Sequence, residues 1–401
     1  MKKTSYLLNA CILLTALTWG CKEDFNKPMN NNSVKPNAVS NVTVKSINGG
    51  AEITYTQPSD PDLLYVKAVY QLSSGERREV KSSFYNNNLV VDGFSDTVRY
   101  NVSLYAVNRS EVESDPVNVD VRPLESPLFE AFKSAKLAPA FGGVTVSTIN
   151  THKGELGYNL LIFDSGKNKY VDYKQFYSSS VELTNTWRGI EPTEHKFGLF
   201  MTDRWLNQTD TIFSTITPLL EIELDKSKFR PLTLPTDDPC KYNGTGSSSL
   251  AKLWDKNYTS FDNALTGTAN DLNPMWFSWD LGQKAKLSRI AFWLYRTNNG
   301  SYYYGKSPKE YEIWGSNNPN PDGSWESWTK LMDCSSKRPS GLPEGALDTS
   351  DDYAAALKGE SFDVPSTAPA VRYLRFKLKQ NWMSTSALFI YETNIWGDPN
   401  Q

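Results

Sequence analysis

Tyr100-Asn101-Val102-Ser103-Leu104-Tyr105-Ala106-Val107 alternates in character and puts Tyr100, Val102, Leu104 and Ala106 on one face. A side-chain period of two belongs to a strand with one buried face. The same grammar runs toward the N-terminus. Val42-Thr43-Val44-Lys45-Ser46-Ile47 reaches the turn Asn48-Gly49-Gly50 and returns as Ala51-Glu52-Ile53-Thr54-Tyr55. Glycine there supplies the positive φ that a tight hairpin needs. Leu64 to Tyr70 and Asn88 to Val91 read as further strands. About seven short strands in one such stretch predict a small antiparallel sandwich, here over residues 38–123.

The next block repeats the pattern loosely. Gly143 to Asn150 echoes Asn41 to Asn48, and Phe197 to Arg204 echoes Val102 to Arg109. A second sandwich is expected over 124–234, with Pro231, Pro235 and Pro239 forming a stiff linker after it. The first of these stretches resembles a fibronectin type III domain, Tyr100 to Asn108 matching its penultimate strand. The two sandwiches would act as spacers, and neither carries a catalytic motif.

Composition narrows the choice of function. The 401 residues carry a net charge of −3, which gives no sign of a nucleic-acid partner. Aromatic residues make up 13%, with 12 Trp and 21 Tyr, as suits β-rich folds with stacking surfaces. Only His152 and His195 are histidines, and no Cys or His pattern has zinc spacing, which argues against a zinc site or a Ser-His-Asp triad. At the N-terminus Lys2 and Lys3 precede an apolar run from Tyr6 to Trp19, then Gly20-Cys21. That run is shorter than the ~20 residues needed to cross a bilayer, so residues 1–20 read as a cleaved signal peptide. Cys21 is the expected site of acylation, palmitate among the chains, which would hold the protein to a membrane. Cys21-Lys22-Glu23-Asp24 resembles the export tag of Bacteroidetes surface lipoproteins, which implies display at the outer membrane surface. Residues 21–37 form a tether. Cys240 and Cys334 remain, available for a disulfide or as two separate thiols.

From residue 235 to 401 the pattern changes. Leu250 to Phe261 includes Leu253-Trp254-Asp255-Lys256-Asn257-Tyr258-Thr259. Met275-Trp276-Phe277-Ser278-Trp279-Asp280-Leu281-Gly282 is followed by Ile290 to Arg296 and by Tyr311-Glu312-Ile313-Trp314-Gly315-Ser316. Val371 to Phe376 and Ile390 to Gly397 close the series. In this order the segments resemble the discoidin-like domain, which is the type C domain of coagulation factors V and VIII and the family 32 carbohydrate-binding module. The resemblance implies a jelly-roll β-sandwich with a ligand site in the loops at one end. The whole fold is therefore expected to be all-β, two fibronectin-like sandwiches and then a jelly roll.

The same resemblance implies a structural calcium ion. Asp255 and Glu392 match the family's side-chain ligands, with Leu253, Asn257 and Thr259 as candidate loop oxygens. Calcium takes such mixtures of carboxylate and carbonyl oxygens. Lys256 stands where the family often has glycine. The competing reading has Asp255 capping a turn and Glu392 paired with a lysine. For the ligand, sugars present a C–H face and a rim of hydroxyls, which suit exposed aromatic rings flanked by Arg and Asn. Arg296, Asn298, Tyr302, Tyr303 and Trp382 are the candidates, the three rings being equally open to a packing role.

The expected function is glycan capture at the cell surface without catalysis, the partner being a polysaccharide or glycoconjugate and the membrane contact only the lipid anchor. A protein partner bound by the same domain is the alternative. A hydrolase is disfavoured, because three β-domains use up the chain.

Overall fold

The computed structural model describes residues 32–240, 250–258, 265–267, 275–296, 301–384 and 387–401. The signal segment, Cys21, Thr259 and Asn298 lie outside these residues, so the structure bears on none of them.

The first sandwich contains β1 (Ser40–Ile47), β2 (Gly50–Thr56), β3 (Leu63–Gln71), β4 (Arg77–Ser83), β5 (Asn88–Asp92), β6 (Tyr100–Asn108) and β7 (Val117–Val121). One sheet has the order β1-β2-β5 and the other β4-β3-β6-β7. Ile47 pairs with Gly50, so Asn48-Gly49 is a two-residue hairpin turn with Gly49 at φ +66°. Val102, Leu104 and Ala106 on β6 are fully buried against Ile53, Val66 and Val91.

In the second sandwich a short helix, α1 (Pro127–Phe132), precedes β8 (Lys136–Ala140), β9 (Gly143–Ile149), β10 (Leu156–Asp164), β11 (Lys169–Ser178), β12 (Glu182–Arg188), β13 (His195–Asp203) and β14 (Ile212–Ile216). Its sheets are β12-β9-β8 and β11-β10-β13-β14, the pairing scheme of the first sandwich. Ser126 caps α1 by accepting from the Leu128 amide, and Leu128 and Ala131 join the core. The echo of Val102 to Arg109 in Phe197 to Arg204 joins equivalent strands, β6 and β13. Ser114 accepts from the Ala106 amide, and Thr209 from the Met201 amide in the matching place. The other echo does not: Asn41 to Asn48 lies on β1, whereas Gly143 to Asn150 lies on β9, the counterpart of β2. Alternation repeats in any half-buried strand, so it cannot tell neighbours apart.

The last sandwich comprises β15 (Ile222–Glu223), β16 (Arg230–Leu232), β17 (Leu265–Gly267), β18 (Trp276–Leu294), β19 (Pro308–Ser316), β20 (Thr329–Ser335), helix α2 (Ser350–Lys358), β21 (Glu360–Asp363), β22 (Val371–Asn381) and β23 (Leu388–Asp398). Its first half pairs β18 with β22 and β16, and its second half pairs β18 with β23 and β21. The register shifts between Asp280 and Ala285, where Gly282 sits at φ +72° and a Cβ would lie 2.4 Å from the Lys228 carbonyl. Phe277, Trp279, Phe292, Tyr311 and Phe376 fill the space between the layers.

The boundary expected at 234 falls too late. β15 pairs with β23 and β16 with β18, so residues 222–232 already belong to the last sandwich. Pro231 sits within β16 opposite Trp279 rather than in the stiff linker expected. An edge strand accepts proline because one row of its N–H groups needs no partner. The first two sandwiches are also joined firmly. Arg204 pairs with Asp92 at 2.9 Å, and Asn207 donates to the Gly93 carbonyl at 3.0 Å. Gly93, at φ +93°, lies under the Trp205 ring, where a Cβ would come within 2.8 Å. At the next junction Glu221 accepts from Ser288 at 2.7 Å and pairs with Arg188 and Arg289 at 3.4 Å.

Candidate functional site

Two places at one end of the last sandwich gather the residues singled out in the sequence. The first is the loop expected to hold calcium. Glu392 and Asn394 alternate on β23 and point the same way, and the Glu392 side chain has no exposed surface. Between them lies the Lys226 ammonium, 2.8 Å from Glu392 Oε1 and 2.7 Å from Asn394 Oδ1. The Tyr258 hydroxyl is 3.5 Å from it. Lys226 opens a 3-10 turn (Lys226–Lys228) capped by Asp225. The other Glu392 oxygen accepts from the Asn257 amide at 3.1 Å, and Asp255 accepts from the same amide at 2.9 Å. Burial raises the Glu392 carboxyl pKa and the Lys226 ammonium opposes the rise.

These residues do not fit a divalent ion. Asp255 closes a turn in which Lys256 takes φ +66°, and both Glu392 oxygens are engaged. Leu253 contributes a fully buried side chain to the core. Among the described residues no three acidic, His or Cys side chains converge. The competing reading, a capped turn and a paired lysine, describes the geometry.

The second place is the expected ligand end. Tyr302, Tyr303 and Trp382 are 4%, 1% and 6% exposed, packed with Leu294, Tyr295, Ala356 and Tyr391. That burial corrects their role as surface rings: Tyr303 and Trp382 meet edge to face, and the segment from Ser336 to Gly359 packs over Tyr302. Arg338 organises that cover. Its guanidinium donates to Asp352 at 2.9 Å, to Asp348 at 3.1 Å and to the carbonyls of Pro343, Ala346 and Leu347. Thr349 and Asp352 form a capping box that starts α2. The Tyr302 amide donates to Asp348 at 2.6 Å, and the Tyr302 and Tyr353 rings meet edge to face. Arg296 stays exposed, its guanidinium 5.2 Å from the centre of the Tyr353 ring.

A cleft of about 280 Å³ remains between this cover and the sandwich, lined by Tyr258, Trp293, Tyr302, Ala356 and Leu357. Trp293, on β18, forms one wall. Its indole donates to the Leu357 carbonyl at 3.1 Å, and its ring meets Tyr258 edge to face. Gly359, at φ +77°, lets the end of α2 lie flat on Trp293, since a Cβ would fall 2.6 Å from the indole. Trp293, Tyr258 and Leu357 were not chosen as site residues in the sequence. Cys240 and Cys334 are both buried thiols, and burial raises the pKa of each.

The architecture is that of an all-β protein in which two like sandwiches lead into a larger terminal one. Residues 36–123 match the family model DUF4959, residues 124–227 DUF5126 and residues 254–397 DUF5000, each a domain of unknown function. A solved SusE-like protein shares 32% identity over 67% of this chain and 98% of its own, with a TM-score of 0.45. By that shared sequence the chain belongs to the SusE-like family. Two more distant structures also match. A putative chitobiase fragment from Bacteroides thetaiotaomicron is 19% identical over 45% of this chain and 95% of its own, with a TM-score of 0.32. The CBM32-1 and CBM32-2 domains of ZmpB from Clostridium perfringens are 13% identical over 44% of this chain and 37% of theirs, with a TM-score of 0.30. No curated protein matches the sequence.

Proposed function

We propose that this is a non-catalytic lipoprotein of the cell surface that binds glycan through its last sandwich. The cleft carries the reading. Its walls are the rings of Tyr258, Trp293 and Tyr302, and its size lies near the lower end of the roughly 300–1,000 Å³ typical of small-ligand sites. Aromatic faces suit the C–H face of a sugar, and the exposed Arg296 guanidinium suits its hydroxyls or a carboxylate. Acyl chains on Cys21 would hold the protein at the outer membrane.

A glycan array with the soluble chain tests the binding. Leu357→Glu places a charge on the cleft rim and Arg296→Ala removes the guanidinium. Each should weaken binding at least about tenfold, the loss of one charge-assisted contact or stack, at an unchanged Tm. Binding unaffected by both would move the site elsewhere. A protein partner is the second reading, favoured by the exposed Tyr353 and Leu357 on α2, and it leads if no glycan is retained. For the anchor, Cys21→Ala should move the protein from membranes to the soluble fraction, and retention there would remove lipidation from the account.

A further inference from the structure

The loop that the discoidin-like pattern assigns to calcium already holds a positive charge of the chain's own. We propose that the Lys226 ammonium is the resident cation of this site in place of a divalent metal, and that it clips the incoming connection onto the last sandwich.

The coordination supports this directly. An ammonium has three N–H groups, and three oxygens lie within 3.5 Å of this one, from Glu392, Asn394 and Tyr258, with Glu223 Oε1 farther off at 4.0 Å. The carboxylate that a metal would bind thus meets a cation at hydrogen-bond distance. The side chain of Lys226 is 5% exposed, so the charge is withdrawn from water as a bound ion would be. The turn that a metal would organise is organised without one: Asp255 and Glu392 share the Asn257 amide between them. A calcium ion bound to Glu392 would lie within a few ångströms of the ammonium, and like charges at that range in a buried site repel strongly.

The source of the cation adds a second role. A calcium ion would tie together loops within the sandwich. Lys226 instead comes from the segment that leaves the second sandwich, and it reaches β23 beside the hydrogen bond from the Leu224 amide to the Ile395 carbonyl, 2.8 Å long. The pair therefore fastens the connection to the terminal strand, and a chelator cannot remove it. This inference is independent of the glycan reading, since it concerns how the domain is held.

Thermal melts of the full chain in millimolar calcium and in chelator test the proposal, with calcium titration calorimetry beside them. The wild type should melt at the same temperature in both and show no calcium heat. A higher Tm in calcium, or a calcium site lost in Glu392→Gln, would overturn it. Lys226→Ala should lower the Tm and make the bond after Lys228 the first site of trypsin cleavage, whereas Lys228→Ala, at an exposed neighbour, should not lower the Tm. A Lys226→Ala variant as stable and as protease-resistant as wild type would equally overturn the clip. If that variant does not fold, the two wild-type measurements still decide.

Discussion

Arg338 Nε donates to Asp352 Oδ2 at 2.9 Å across a pair whose side chains are almost wholly buried. The contact fastens one end of the Ser336–Gly359 segment to the first turn of α2, and so keeps the cover on Tyr302. Burial alone would raise the Asp352 carboxyl, but the amides of Thr349 and Ser340, the Ser340 hydroxyl and the guanidinium hold it well below its usual range. Arg338→Ala would leave Asp352 and Asp348 uncompensated, at a cost of about 3–5 kcal/mol. A drop in Tm with faster amide exchange over α2 is the expected result. Unchanged exchange there would show that the cover is held by other means.

Trp382→Ala separates packing from ligand contact. A buried Trp truncated in a core costs about 3–5 kcal/mol, so the last sandwich should melt markedly lower. Arg296→Ala, at an exposed position, should stay within about 0.5 kcal/mol of wild type. Equal Tm values for Trp382→Ala and wild type would contradict the burial of this ring.

Glu360 makes stability depend on pH. Burial pushes its carboxyl up to about 7 from an ordinary 4.5, partly offset by the Ser336 hydroxyl, which donates at 2.7 Å. Its other oxygen has no hydrogen-bond partner among the described residues. Between these values the folded state holds a proton that the unfolded state releases. Stability therefore falls as pH rises from about 4.5 to 7 and levels off above, by on the order of 3 kcal/mol at most. Glu392 shifts in the same direction. Melts from pH 4.5 to 8 should slope downward, and Glu360→Gln should flatten part of that slope. An identical slope in the variant would mean that Glu360 ionises normally.

The joint between the first two sandwiches depends on a missing Cβ. Gly93→Ala would drive a methyl into the Trp205 ring at a positive φ, at a cost of about 1–3 kcal/mol. Limited proteolysis should then cut the chain near the joint. Adding Trp205→Ala should recover part of the stability lost, because the collision is gone and only the backbone strain remains. Purely additive losses in the double variant would exclude the contact.

Strands were legible wherever one face is buried, as in Tyr100 to Val107, because alternation is a local property. The helix α2 was legible in principle. Thr349 with Asp352 three residues on, then Tyr353 to Lys358 and Gly359, is an N-cap, a helical run and a stop. The burial of Tyr302 was not legible, since the cover over it comes from elsewhere in the chain and nothing in its own segment reports it. Lys226 was hidden in the same way: it meets Glu392 across 166 positions. The alternatives could be framed from the sequence, a turn cap and a lysine pair, but the particular lysine could not be chosen.

β18 runs through 19 residues and lends its two halves to different layers of the last sandwich. Neither layer can peel away without pulling on a strand that the other layer still grips. Opening is thereby concerted: the jelly roll should unfold as one unit, with matching calorimetric and van't Hoff enthalpies. Deep amides on β22 and β23 would exchange at a common rate set by global unfolding, although no hydrogen bond joins those two strands directly.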